Sequence, residues 1–138
     1  MKRSSEIESL VREFYDTMKR GDSAGVAALI AEGDAMLCIG TDPTEWWEGH
    51  AKVASVWKEQ MEAMGGGIEL VGGDPRGQES GEVGWFADRP SFLLPDGTRV
   101  PTRLTGVATR DGGRWRLVQA HISIGIPNEE AVGRELPT

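Results

Sequence analysis

Cysteine is almost missing from this chain: Cys38 is the single one among 138 residues. That excludes an internal disulfide and any zinc site built on cysteines. Histidine is scarce too, and His50 and His121 lack the spacing of metal ligands, so neither a metal nor a cofactor is expected. No apolar run approaches the roughly 20 residues of a membrane span. The start, Met1-Lys2-Arg3-Ser4-Ser5, leads into an amphipathic segment and not into the apolar core of a signal peptide, so the expected location is the cytoplasm. Basic residues are outnumbered, 15 Lys and Arg against 22 Asp and Glu, for a net charge of −7. They form no stripe, so nucleic acid is not an expected partner. Gly65-Gly66-Gly67 has no Gly-Lys-Thr or Gly-Lys-Ser after it, which leaves a helix stop and not a phosphate loop.

What is present fits one globular domain over residues 1–138: 27% charged, 38% hydrophobic, and five tryptophans, enough aromatic area to line a cavity or an interface. A capping box, Ser5 with Glu8, opens a helix whose Ile7, Leu10, Val11, Phe14 and Met18 share one stripe. Gly21 ends it, and Asp22 or Ser23 caps a short second helix with Val26, Leu29 and Ile30. Residues 35–39 read as a buried strand, and 40–49 as a loop in which Pro43 keeps Asp42 out of the helical region. A third helix runs over about 50–64, with Val53, Val56, Trp57, Met61 and Met64 on one face. Strands follow at 68–71, 82–94, 98–110 and 114–125, joined by turns at Asp96-Gly97 and Asp111-Gly112-Gly113, with a polar tail from about 126. Three helices around one strand, then a meander of four, make an α+β domain: a curved antiparallel sheet wrapped around the helices.

Three stretches carry a resemblance: Met18-Lys19-Arg20-Gly21-Asp22, the 40–49 loop, and Arg114-Trp115-Arg116-Leu117-Val118-Gln119-Ala120-His121-Ile122-Ser123. With the element order, they resemble the SnoaL-like and ketosteroid isomerase-like branch of the nuclear transport factor 2-like superfamily, over nearly the whole chain. The resemblance implies a cone-shaped domain with an apolar pocket. It weighs little for function, because this fold hosts isomerases, cyclases, dehydratases, assembly domains and transport factors. Ketosteroid isomerases place their base in an Asp-Pro pair before the third helix, which implies Asp42 here. Their oxyanion donors, a Tyr on the first helix and an Asp on the fourth strand, fall on Phe14 and Gly106, with Tyr15 adjacent.

Residues directly opposed in antiparallel strands share a sheet face. A two-residue turn at Asp96-Gly97 and a three-residue turn at 111–113 gather Trp85, Ala87, Arg89, Ser91, Leu104, Gly106, Val118, Ala120 and Ile122 on one face. That face is small and apolar, as a pocket wall should be, and Phe14, Met18, Trp57 and Met61 would close it from the helices. The opposite face gathers Arg103, Thr105, Val107, Thr109, Trp115, Leu117, Gln119, His121 and Ser123. Its aromatic, aliphatic, Arg and hydroxyl mixture suits a homodimer interface, which the resemblance also implies.

The candidate chemistry is sparse. Asp42 is either a general base or the residue that fixes the Asp-Pro turn. Arg89 is either an anion fork inside the pocket or one half of an ion pair with Asp16, Glu59 or Glu62. His121 and Ser123 lie two apart on a strand with no acidic residue there to orient the histidine. Trp46 or Trp47 is either a lid or core packing. The expected function is a small-molecule-binding protein that holds an apolar or weakly acidic ligand. The alternatives are an enzyme moving a proton on a hydrophobic carbonyl compound, as an isomerase, cyclase or dehydratase, and a dimerising assembly module.

Overall fold

The structure is a computed structural model that describes residues 1–138. Helix α1 is Ser5–Arg20 and starts one residue earlier than expected: Ser4, not Ser5, is the N-cap, and its hydroxyl accepts the Ile7 N–H. The stripe of Ile7, Leu10, Val11, Phe14 and Met18 is buried, each side chain contributing about 2 kcal/mol. Helix α2, Ser23–Ala28, is capped by the Asp22 carboxylate. Helix α3, His50–Ala63, buries Val53, Trp57 and Met61. A last short helix, α4, Asn128–Val132, lies exposed in the tail. No helix is long and apolar enough to cross a membrane.

The strands are β1 (Lys2–Arg3), β2 (Leu37–Ile39), β3 (Trp46–Glu48), β4 (Glu69–Val71), β5 (Arg76–Ser80), β6 (Val83–Asp88), β7 (Ser91–Leu93), β8 (Arg99–Pro101), β9 (Arg103–Asp111) and β10 (Arg114–Ser123). Seven form one sheet in the order β1-β5-β6-β9-β10-β2-β3, and β4-β7-β8 form a second. The large sheet is mixed, because β2 runs parallel to β10 while its other neighbours are antiparallel. The expected long strand over 82–94 is two strands in two sheets. The chain bends at Arg89-Pro90, where the Pro90 carbonyl accepts both the N–H and the hydroxyl of buried Thr102. That bend turns β7 and β8 across the open end of the large sheet and makes the cone.

Two turns differ from the expected ones by a single residue. The first hairpin loop is Pro95-Asp96-Gly97, closed by Leu94 N–H to the Thr98 carbonyl at 2.8 Å, with Gly97 at φ 88°. A three-residue loop with glycine in the left-handed position is a standard hairpin solution. The extra residue shifts β6 by one and turns every side chain over. Phe86, not Ala87, is paired with Gly106, and Asp88, not Arg89, with Leu104. The second loop is shorter than expected, two residues, since Arg114 pairs with Asp111. A bulge then leaves Val118 unpaired between Leu117 and Gln119, and beyond it the register is again in phase. Between the turn and the bulge Trp115 and Leu117 face inward. Past the bulge Ala120 and Ile122 do as well.

The start of α1 is tied to the sheet edge by acids. Glu8, 3% exposed, accepts from Arg3 Nε and Nη2 at 2.9 and 3.0 Å and from the Gly77 N–H at 3.2 Å. The Arg3 hydrogen bonds first, and the Gly77 N–H second, hold the Glu8 carboxyl below its ordinary value of 4.5. The Ser4 hydroxyl does the same for Glu79. A carboxyl lowered in the fold adds stability that is complete above its unfolded value and disappears as pH falls through the folded one. The melting temperature should therefore be level above about pH 4.5 and drop below it. Glu8→Gln should lower the plateau and make the acid slope shallower. Melts between pH 7 and 3 check this, and an unchanged slope in Glu8→Gln would remove Glu8 from the account.

Candidate functional site

A cavity of about 370 Å³ opens between α1, α3, the β2–β3 hairpin and the inner faces of both sheets. It is lined by 18 residues, of which 14 are hydrophobic. Phe14 and Met18 come from the α1 stripe and Trp57 from α3, with the Phe14 and Trp57 rings 5.2 Å apart and tilted by 55°. Leu104, Ala120 and Ile122 come from the large sheet. Leu70, Phe92 and Leu94 come from the bent-over arm.

Four residues expected on the wall are elsewhere. Met61 lies in the core beneath α3. Gly106 is covered by the core ring of Phe86: a Cβ there would meet that ring at 2.5 Å, and neither residue lines the cavity. Trp85 faces outward, half-buried in a shallow depression with Gln78, Ala87, Thr105, Val107 and Gln119. Val118 sits on the bulge and is not part of the lining. Arg89 also faces outward, is exposed and makes no ion pair, because the longer hairpin loop reverses its strand.

The expected dimer face changes in the same way. Arg103, Thr105 and His121 are exposed on the outer face and Val107 is half-buried there. Trp115 and Leu117 are in the core. Trp115 donates its indole N–H to Glu6 at 2.8 Å and lies under the Arg110 guanidinium at 4.5 Å.

Asp42 is exposed and outside the cavity. Its carboxylate takes the Thr44 hydroxyl at 2.6 Å and the Thr44 N–H at 2.9 Å. The hydroxyl first, then the N–H, hold its carboxyl below the ordinary range, the opposite of what a general base at neutral pH needs. The turn reading of Asp42 is the one its contacts support. Tyr15 does not line the cavity either. Its hydroxyl donates to Asp88 at 2.6 Å, and Asp88 also accepts the N–H groups of Asp74 at 2.8 Å and Arg89 at 2.7 Å. Burial, with the Asp88 hydrogen bond second, raises the phenol well above its usual range. The pair is spent on itself, pinning α1 to the end of β6.

The polar part of the cavity lies in the stretch first taken for a loop. Gly40, Thr41 and Glu45 line it, with Gln60 of α3 facing them. Glu45 Oε1 accepts the Asp42 N–H at 3.1 Å, and Oε2 accepts the Gln60 amide at 3.2 Å. Gly40 makes the room: a Cβ there would stand 2.4 Å from Glu45 Oε2. Trp47 pairs with Cys38 across β2–β3 and lines the cavity with it, whereas Trp46 is 59% exposed. Burial pushes the Cys38 thiol up to about 12, so it is a neutral piece of wall. The one sequence signal for Glu45 becomes usable only once a strand is known at Trp46–Glu48. Side chains alternate along a strand, so a carboxylate two residues before an inward tryptophan shares its face. Nothing in the 40–49 stretch says that Trp46–Glu48 is a strand.

Comparison with known proteins follows this geometry. The model of the SnoaL-like domain matches residues 7–127. Nothing among functionally curated proteins matches the chain. Solved structures do. An NTF2-like protein of unknown function from Pseudomonas putida KT2440 is 20% identical, with 96% of this chain and 92% of that one covered at a TM-score of 0.76. A suggested dehydratase of the NTF2-like family from Streptomyces avermitilis is 17% identical, with 88% and 95% covered at 0.77. A protein of unknown function with a cystatin-like fold from Nostoc punctiforme PCC 73102 is 13% identical, with 91% and 96% covered at 0.74. At such identities these structures speak for the fold alone. The family match spans α1 from Ile7, α2, α3, every strand but β1 and every residue of the cavity, and the chain belongs to the SnoaL-like family with the NTF2-like fold.

Proposed function

We propose that this chain binds a small, largely apolar molecule in the cavity between α1, α3 and the two sheets. The observation that carries the reading is the lining: 14 of 18 residues are hydrophobic, with Thr41, Glu45 and Gln60 converging at one side. An apolar body with a few placed polar groups is how small-molecule sites are generally built.

One specific observation favours a second reading, an enzyme that moves a proton. Glu45 puts a carboxylate against that apolar wall, in reach of a bound molecule. In this reading Glu45 is the base and Asp42 has no part. The Streptomyces neighbour described as a suggested dehydratase fits such chemistry but shares only the fold.

One experiment serves both readings. Trp47 and Trp57 line the cavity, so their fluorescence should respond to apolar aryl and alkyl compounds and not to nucleotides or sugars. Trp47→Phe should remove much of the response. After incubation, chromatography of the ligand separates the readings: intact ligand means binding, and a converted one means catalysis. A response to nucleotides only would sink the proposal.

A further inference from the structure

The charge of the cavity is the reverse of the one the sequence suggests. With Arg89 on the outer side, no lysine, arginine or histidine lines the cavity, and Glu45 is its single ionisable carboxylate. Glu45 is in no ion pair. Its two partners, the Asp42 N–H and the Gln60 amide, are neutral donors. They hold the carboxylate in place without cancelling its charge, and one bond to each oxygen leaves acceptor capacity on both. The nearby ammonium of Lys19, in the adjoining groove past Met64, is paired with Glu69 at 3.3 Å. Aromatic rings make up much of the remaining wall: Phe14, Trp47, Trp57 and Phe92. Their faces attract cations and repel anions.

A carboxylate fixed at an apolar, aromatic wall with no counter-charge is a half-built ion pair. We infer that the ligand supplies the other half: it is a hydrophobic amine or quaternary ammonium compound, its body in the cavity and its cationic head at Glu45. A weakly acidic ligand would set two carboxylates side by side with nothing between them, which costs affinity. This inference rests on the cavity being a ligand site, and it adds the sign of the ligand's charge.

Three probes with one skeleton test it near neutral pH: 4-phenylbutylamine, 4-phenylbutan-1-ol and 4-phenylbutanoate, titrated against tryptophan fluorescence. The amine should bind about tenfold more tightly than the alcohol, and the alcohol more tightly than the carboxylate. Glu45→Gln keeps an acceptor for the Asp42 N–H and loses the charge. It should cut the advantage of the amine over the alcohol to about twofold and bring the carboxylate closer to the alcohol. Circular dichroism and a thermal melt like those of the unaltered protein show that the variant is folded. The ranking in the unaltered protein needs no variant, so a Glu45→Gln chain that failed to fold would still leave the inference exposed. A carboxylate that binds as well as the amine overturns it, and so does an amine preference that survives in Glu45→Gln. If the alcohol binds with no preference for the amine, the cavity reading stands and the charge inference falls. If none of the three binds, both fall.

Discussion

Leu117→Asp is expected to leave no folded protein in solution. Leu117 is 1% exposed. Its N–H donates to the Leu29 carbonyl and its carbonyl accepts the Ala31 N–H, both at 2.8 Å, so the strand is stitched to the segment after α2 at this residue. Removing the leucine forfeits about 2–3 kcal/mol of burial. A carboxylate in its place is desolvated with no cation to meet it, which costs several kcal/mol more. The sum is comparable to the whole stability of an ordinary domain, about 5–15 kcal/mol. Thr105→Asp, on the exposed outer face of β9, should change stability by about 0.5 kcal/mol or less. The contrast tests the register itself. Were Leu117 on the outer face, as a bulge-free strand would have it, its aspartate variant would be a folded protein with at most a lost subunit contact. Circular dichroism and a thermal melt decide: a cooperative melt near that of the unaltered protein would mean that the bulge at Val118 is misplaced.

That register is also where sequence reasoning stopped. The helices were legible because a buried stripe repeats every three to four residues for several turns, and Phe14, Met18 and Trp57 stand on such stripes and line the cavity. The order of elements was legible because glycine and proline punctuate it. Facing was not, because in a strand one residue reverses everything. Asp96-Gly97 is a proper two-residue turn in isolation, and only the Leu94–Thr98 closure shows that Pro95 belongs to the loop. Arg89 and Trp85 went to the wrong side for that reason alone. At the other hairpin two departures cancel: a turn one residue shorter and a bulge one residue longer, so Ala120 and Ile122 face the cavity while Trp115 and Leu117 between them do not face outward. The edge strands β1 and β3, and β5 beside β1, are illegible for a different reason. Arg76-Gly77-Gln78-Glu79-Ser80 is polar and holds a glycine, and what makes it a strand is its pairing with β6, not its own residues. Glu45 is hidden with β3, because the Asp42-Pro43 pair beside it is the stronger local signal and marks a turn.

Ala120→Phe is expected to abolish ligand binding while the domain stays folded. Ala120 is 4% exposed and lies on β10 past the bulge, between Cys38 of β2 and Gly106 of β9. Its methyl is part of the cavity wall. A phenyl ring grown from that point has an empty, apolar volume to enter. Forcing a large side chain into a packed core costs about 1–3 kcal/mol, but here the ring fills a void and gains contacts with Leu104 and Trp57 in return. The melting temperature should move by a few degrees at most, in either direction. The ligand loses both space and wall area, so its affinity should fall by about 100-fold or more. Ala108→Phe is the control on the same inner face. Ala108 is fully buried opposite Leu117, where no cavity exists, and a ring there has only packed atoms to displace. It should cost about 3 kcal/mol or more. One sheet, one kind of substitution and two positions thus give opposite results, because one position borders a void and the other borders the core. Ala120→Phe that still binds the apolar probes with undiminished affinity would place the ligand site outside this cavity.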